Sequence, residues 1–146
     1  MADLERALQI AVRAHAGQKD KNGEAYIFHP LRVMGRCVSP DAKIVALLHD
    51  VVEDTEVTAE QLKEEGFSAG VLAAVKLLTH ATEISYDDYV SAMLSNPTAV
   101  EVKIADLEDN SDIRRLKSVD EKGIERLRKY RKAYQILTAH RDGAGS

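Results

Sequence analysis

The chain has 146 residues, of which 45% are hydrophobic and 30% charged, and its formal net charge is −4. That length suits one domain with a hydrophobic core, and the acidic balance argues against sequence-independent binding to nucleic acid or to an anionic membrane. No run approaches the roughly 18 apolar residues that cross a bilayer, and the acidic N-terminus does not resemble a leader peptide. The single cysteine, Cys37, cannot form an internal disulfide, so a reducing cytoplasm fits this composition.

Helix signals recur along the first two thirds of the chain, whereas alternating strand-like runs are nearly absent. Pro30 suits the first turn of a second helix, over about 30–38, and "SP" before "DAKIVALLHD" starts a third helix, over about 40–53. Thr58 with Gln61 forms a capping-box pattern for a fourth. The predicted N-caps are Asp3, Ser39, Thr58, Ser68 and Ser85.

The last third of the chain is also predicted to be helical. The run "TAVEVKIADLEDNSDIRRL" (98–116) keeps its apolar residues at helical spacing, and a final helix is expected over about 120–140. Residues 141–146 are expected to form a short flexible tail after one domain that covers residues 1–140. The fold class is therefore all-α, with about seven or eight helices. The core stripe predicted for the final helix consists of Ile124, Leu127, Tyr134 and Leu137.

The segment "LLHDVVEDT" (47–55) places four polar residues directly after an apolar helical run. On a helix, His49 stacks on Glu53 and Asp50 stacks on Asp54, because residues four apart share a face. Three carboxylates within five residues repel one another, and burying them unpaired is costly. The segment therefore requires either a positively charged partner or a face that is open to water.

Two further segments break apolar patterns in the same way: His29 stands just before a proline, and Asp106 interrupts "VKIADLEDN". Two histidines and two carboxylates suit a divalent transition metal such as Mn²⁺, Fe²⁺, Zn²⁺ or Co²⁺. A metal would also relieve the crowding of carboxylates. The candidate ligands are His29, His49, Asp50 and Asp106, and Glu53 with Asp54 would then orient or deprotonate a water molecule.

Each of these residues also has a structural alternative. His29 before a proline is often only a hydrogen-bonding residue, and Asp106 could pair with Lys103. Glu53 and Asp54 could be a solvated helix end. The conjunction favours the metal site, because the three sets of polar residues occur on separate predicted helices and each set interrupts an apolar pattern.

The blocks "AHAGQKDKNGEAYIFHPLRV", "ALLHDVVEDT" and "VKIADLEDN" resemble, in order and approximate spacing, the hydrolase domain of the Rel/SpoT alarmone enzymes. That family is a branch of the HD phosphohydrolase superfamily and includes small metazoan SpoT homologues. The resemblance covers about residues 4–137. It implies a helical HD-domain fold around an Mn²⁺ ion, with the same four ligands and with Glu53 and Asp54 as the catalytic acid/base pair.

The resemblance further implies a reaction, namely removal of the 3′-pyrophosphate from guanosine tetra- or pentaphosphate to give GDP or GTP. The expected partner is thus a small nucleotide. Family contacts to the nucleotide map onto Lys21, Asn110, Arg126 and Tyr130. Because the chain ends where the long bifunctional members continue, it is expected to be a stand-alone hydrolase. Its oligomeric state is left open.

One loop residue departs from the family pattern. Asp20 stands where many members have an arginine that holds the base, which keeps open a phosphohydrolase of another nucleotide, such as NADPH at its 2′-phosphate or a nucleoside monophosphate. A catalytically idle, nucleotide-binding regulator is a further alternative. The basic residues Arg114, Arg115 and Lys117 would either attract polyphosphate or form an exposed turn.

Overall fold

The computed structural model describes residues 2–116 and 118–144, and within these ranges it contains eight α-helices and one 3₁₀ turn. In the described part of the chain, β pairing is limited to one isolated bridge between Lys19 and Ala25. The all-α prediction is therefore confirmed. None of the helices in those ranges is both long and apolar enough to cross a membrane. The helices are α1 (Leu4–Ala14), α2 (Phe28–Arg36), α3 (Pro40–Asp54), α4 (Ala59–Glu64), α5 (Ala69–Leu78), α6 (Tyr86–Met93), α7 (Pro97–Asn110) and α8 (Glu121–Ala144).

The helix starts follow from side-chain caps. All five predicted N-cap residues accept a hydrogen bond from a backbone N–H three residues further on. The reciprocal capping box of Thr58 and Gln61 is present as well. After α4 the chain turns at Gly66, whose φ of +96° favours glycine. The capping hydrogen bonds satisfy backbone N–H groups that the start of a helix leaves without a partner.

Helix α3 forms the centre of the molecule, since α1, α2, α5 and α7 all pack against it. Its residues Val45–Leu48 have no exposed surface. Burying a leucine of this kind stabilises the fold by about 1.5–3 kcal/mol. The apolar part of α3 thereby fixes the position of the polar residues that follow it, beginning with His49.

The structure corrects the end of the predicted 98–116 helix. Helix α7 ends at Asn110, and a separate 3₁₀ turn covers Ile113–Arg115. The Asp112 side chain accepts from the backbone N–H of Arg114, and such local bonds compete with continuation of a helix. Of the basic group predicted here, Lys117 lies outside the described residues.

The structure also corrects the last helix. Helix α8 continues to Ala144, so residues 141–144 are helical rather than part of a tail; residues 145–146 lie outside the described residues. Of its predicted core stripe, Leu137 is buried, Leu127 and Tyr134 are half-buried, and Ile124 is exposed. The reason is tertiary: α8 packs mainly against α7 and α6, at the edge of the bundle, so only a narrow line of its surface meets the core.

Candidate metal centre and active site

Three helices bring the four predicted ligands together. His29 lies in the first turn of α2, His49 and Asp50 lie near the end of α3, and Asp106 lies in α7. All four side chains are buried, with residue exposures between 3% and 7%. Because α2, α3 and α7 pack against one another in pairs, residues 77 positions apart in sequence become neighbours.

The side-chain atoms of these four residues lie close together. His29 Nε2 lies 2.9 Å from Asp106 Oδ1 and 3.5 Å from Asp50 Oδ2. His49 Nε2 lies 3.1 Å from Asp50 Oδ1 and 3.8 Å from Asp106 Oδ1. One ligand atom each from His29, Asp50 and Asp106 fits within a 4.8 Å span, and His49 borders the same two carboxylates. Two imidazole nitrogens and two carboxylates are therefore neighbours in this cluster.

The outer nitrogens of both rings support this orientation. His29 Nδ1 lies 2.6 Å from Asp109 Oδ2, and His49 Nδ1 lies 3.1 Å from the Ala46 carbonyl oxygen, so each Nδ1–H has an acceptor. In the neutral imidazole, the lone pair then resides on Nε2 and points to the carboxylates. This is how metal-binding histidines are usually held, and the mixed nitrogen and oxygen set fits a divalent transition metal.

The carboxylates of the cluster also raise the pKa of both histidines. Burial lowers the pKa of His29, but its hydrogen bonds to Asp106 and Asp109 outweigh burial and raise the pKa to about 9. Burial likewise lowers the pKa of His49, while the charges of Asp50 and Asp106 raise it to about 9. Without a bound cation, both histidine rings therefore hold a second proton at neutral pH.

A lysine adds a further positive charge to the cluster. Lys103 Nζ lies 3.0 Å from Asp106 Oδ2, so the pairing considered from sequence is present alongside the histidine contacts. Burial alone would raise the pKa of Asp106, but Lys103 and the two histidines hold it well below its usual range. Asp106 is therefore ionised at neutral pH and suited to bind a cation.

Glu53 and Asp54 lie one turn beyond His49 and Asp50, at the exposed end of α3. Carboxylate oxygens of Asp50, Glu53 and Asp54 fit within a second 4.8 Å span. Partial burial raises the pKa of both residues, and the negative charge of Asp50 raises it further. Glu53 accepts a bond of 3.3 Å from the His80 backbone N–H. These two carboxylates are accessible, adjacent to the cluster and able to accept a proton.

Of the predicted nucleotide contacts, Asn110 lies beside this cluster, and Lys21 lies on the loop between α1 and α2. Asn110 is exposed at the end of α7, and its Nδ2 donates to Asp106 Oδ1 over 3.3 Å. Lys21 is exposed in the loop between α1 and α2. Asp20 folds this loop, because its Oδ1 accepts from the backbone N–H groups of Asn22 at 2.8 Å and Glu24 at 3.0 Å.

The other two predicted contacts lie on α8. Arg126 and Tyr130 are half-buried, and the Tyr130 ring lies 6.5 Å from the Tyr86 ring. Lys129 Nζ lies 4.5 Å from the centroid of the Tyr86 ring, and Lys103 Nζ lies 6.0 Å from the same centroid. An aromatic and basic wall thus extends from Asp106 towards α8.

Two residues that contact the predicted ligands were not predicted from the sequence. Tyr26 Oη donates to Asp50 Oδ2 over 2.9 Å, and Asp109 accepts from His29 as described above. A signal for Asp109 was available, since it follows Asp106 by three residues and so shares its helix face. Tyr26 carried no comparable signal, because it precedes α2 in an irregular loop.

Comparison with known proteins adds three findings. The sequence matches the HD domain family over residues 7–145. It is 35% identical over 159 aligned residues to a GTP pyrophosphokinase of Streptomyces coelicolor, covering 98% of this chain and 18% of that protein. It is 34% identical over 120 residues to a guanosine-3′,5′-bis(diphosphate) 3′-pyrophosphohydrolase of Aquifex aeolicus, covering 74% of this chain and 17% of the relative. The chain therefore spans less than a fifth of the length of these relatives.

A solved structure has the same fold. It is described as a metazoan ortholog of SpoT that hydrolyzes ppGpp, and it superimposes with a TM-score of 0.72 over 94% of this chain and 85% of its own, at 23% identity. The resemblance of the sequence to Rel/SpoT proteins is thereby confirmed. An HD domain implies a divalent metal, and the cluster of His29, Asp50 and Asp106 is able to bind one. Matched over nearly its whole length, the chain belongs to the HD domain family.

Proposed function

We propose that this chain is a metal-dependent hydrolase that removes the 3′-pyrophosphate of guanosine tetra- or pentaphosphate, with Mn²⁺ as its metal. The observation that carries the proposal is that Asp50 belongs to two neighbouring clusters. This carboxylate belongs both to the buried cluster with His29 and Asp106 and to the exposed cluster with Glu53 and Asp54. A cation site and a proton-accepting pair are therefore adjacent, which is the arrangement that hydrolysis of a phosphate ester needs.

The ligands in this proposal are His29, His49, Asp50 and Asp106. When bound, the metal supplies a Lewis acid that offsets negative charge on the phosphoryl oxygens. Glu53 and Asp54 take a proton from the water that attacks the phosphorus next to the ribose 3′ oxygen. The bond from that phosphorus to the 3′ oxygen breaks, the 3′ oxygen gains a proton, and pyrophosphate leaves with GDP or GTP as the second product.

The nucleotide would extend from the cluster along the wall towards α8. Lys21, Asn110, Arg126 and Tyr130 are its proposed contacts, supported by the position of Asn110 against Asp106 and of Tyr130 beside Tyr86. Positive side chains here suit phosphates, and aromatic rings suit a base. The name of the Aquifex aeolicus relative, a guanosine-3′,5′-bis(diphosphate) 3′-pyrophosphohydrolase, supports a guanosine polyphosphate as the substrate.

A second candidate follows from the loop. The Asp20 side chain accepts from the backbone N–H groups of Asn22 and Glu24 and supplies no positive charge for a base, so a phosphohydrolase of another nucleotide is the alternative. The two reactions differ in product, because a terminal phosphate monoester releases orthophosphate instead of pyrophosphate.

The test is product analysis with ppGpp, pppGpp, NADPH and GMP as substrates in the presence of Mn²⁺. Pyrophosphate released from ppGpp, and abolished by a chelator, is the expected result; orthophosphate from NADPH or GMP alone would select the second candidate.

In the variant that combines Glu53→Gln with Asp54→Asn, kcat should fall by about 10²–10⁴ while Mn²⁺ still binds. Asp41→Asn, at the exposed start of the same helix, is the matched control and should retain activity.

If the double variant kept full activity, Glu53 and Asp54 would not be the proton acceptors. If no nucleotide were hydrolysed although Mn²⁺ binds, the catalytic proposal would fail in favour of a nucleotide-binding regulator.

A further inference from the structure

Asp109 is a buried carboxylate that the proposed reaction leaves unassigned. Its exposure is 0%, and its two oxygens meet three nitrogen-bearing side chains. Oδ2 lies 2.6 Å from His29 Nδ1 and 3.0 Å from Arg115 Nη2, and Oδ1 lies 2.8 Å from Arg32 Nε. A carboxylate so completely removed from water is tolerated only when such partners surround it.

The contact with His29 determines which nitrogen of that ring faces the cluster. A carboxylate accepts from Nδ1–H, so Nε2 is the atom left for Asp106, at 2.9 Å, and for Asp50, at 3.5 Å. Because the bond to Asp109 is charge-assisted, it also resists rotation of the ring.

His49 is held in a different way. Its Nδ1 donates to the carbonyl oxygen of Ala46, a backbone group of the same helix, over 3.1 Å. That support is neutral and local, whereas the support for His29 is charged and comes from a residue 80 positions away. The orientation of His29 thus depends on one side chain, and the orientation of His49 depends on the helix itself.

We propose that Asp109 is a positioning residue of the metal centre, which holds His29 with Nε2 directed at the cation. Arg32 and Arg115 are the counter-charges that keep this carboxylate in place. The inference rests on the proposed function, since it requires a cation bound by His29. Carboxylate partners of this kind typically change metal affinity by about 10–100-fold when they are replaced.

The same carboxylate connects the metal centre with the loop that carries Lys21. Arg115 Nη2 contacts both the side chain and the backbone carbonyl of Asp109. The Arg115 carbonyl in turn accepts from Asn22 Nδ2 over 2.7 Å. Through these bonds, Asp109 holds the proposed ligand His29. Through Arg115, it also connects to the loop beside Lys21.

The experiment compares Asp109→Asn with the wild-type chain. Titration calorimetry with Mn²⁺ alone should show an affinity about 10–100-fold weaker for the variant. Asp112→Asn is the matched control, because it also removes an acidic partner of an arginine, three residues further along, without contact to His29. Its affinity for Mn²⁺ should equal that of the wild type. Thermal unfolding without metal reports any separate loss of stability.

A second measurement starts from the wild-type chain, and that part of it does not depend on whether the variant folds. In wild-type protein with ¹⁵N-labelled histidines and bound Zn²⁺, the His29 proton should reside on Nδ1, with the strongly shifted signal of a hydrogen bond to a carboxylate. In Asp109→Asn this signal should move, and in Asp112→Asn it should not.

Three outcomes overturn the inference. Wild-type affinity for Mn²⁺ in Asp109→Asn would show that the carboxylate does not act through the metal, and a His29 proton on Nε2 in the Zn²⁺ form would show that the ring faces the other way. Both results leave the proposed function intact. Failure of the wild-type chain to bind Mn²⁺ or Zn²⁺ would instead remove the metal from the proposed function and this inference with it.

Discussion

The molecule carries polar and charged side chains in two contrasting settings, the buried cluster around Asp106 and the outer face of α8. In the cluster, His29, Asp106 and Asp109 are nearly inaccessible to water, and each has at least two polar partners. On α8, Arg126 is half-buried and Lys129 is exposed, with its ammonium over aromatic rings. A buried charge is stable only if partners of opposite charge or hydrogen-bonding partners lie within bonding distance, whereas water satisfies an exposed charge in many positions. The cluster is therefore suited to fixed chemistry, and the α8 face is suited to adjustable recognition.

The sharpest test of this contrast is Asp106→Asn. The change removes a proposed ligand and leaves Lys103 and two histidines without their shared carboxylate. Loss of the metal withdraws several kcal/mol of transition-state stabilisation, which corresponds to on the order of a thousandfold in rate. Product release and metal content after desalting measure the effect. A variant that retained its metal and its activity would contradict the assigned ligand set.

The acidity of the cluster gives the second prediction. Since the pKa values of His29 and His49 are raised to about 9, both rings carry protons at neutral pH until a cation replaces them. Metal binding should release roughly one to two protons at pH 7, and affinity should rise about tenfold per pH unit for each proton released, levelling off above pH 9. Calorimetry in buffers of different ionisation enthalpy counts these protons. Affinity independent of pH between 6 and 8 would refute the prediction.

A matched pair of lysines compares the two settings directly, because both ammonium groups lie near the Tyr86 ring. Lys103 has a side-chain exposure of only 12% and is bonded to Asp106, so Lys103→Met should lower the free energy of unfolding by about 2 kcal/mol. Lys129→Met loses an exposed cation–π contact and should cost about 0.5–1 kcal/mol. Urea denaturation of the chain without metal measures both. Equal losses would show that burial does not distinguish the two regions.

The last prediction concerns Arg126 on α8. In Arg126→Ala, KM for the nucleotide should rise about tenfold with little change in kcat, because a contact that is equal in the ground and transition states affects binding alone. Arg128→Ala, two residues further along on the exposed side of α8, is the control and should leave KM unchanged. A fall in kcat without a change in KM would place Arg126 in the chemistry rather than in recognition.

Local features of this protein were predictable from its sequence. The caps at Asp3, Ser39, Thr58, Ser68 and Ser85 were all found, because such a cap is a bond between residues only three apart. The burial of the middle of α3 followed from its apolar run in the same way. Ile124, at the correct helical spacing, is nevertheless exposed, because spacing defines a face of a helix but not what packs against it.

The sequence by itself determined an all-helical chain and the residue types of a candidate metal site, since helical periodicity, capping and the cost of crowded carboxylates are properties of short segments. Only the tertiary structure decided that His29 meets Asp109 and that Tyr26 meets Asp50. Those contacts join residues 80 and 24 positions apart, and they exist because α2, α3 and α7 bury their apolar faces against one another. Packing of the core thus sets the distances on which the chemistry of the site depends.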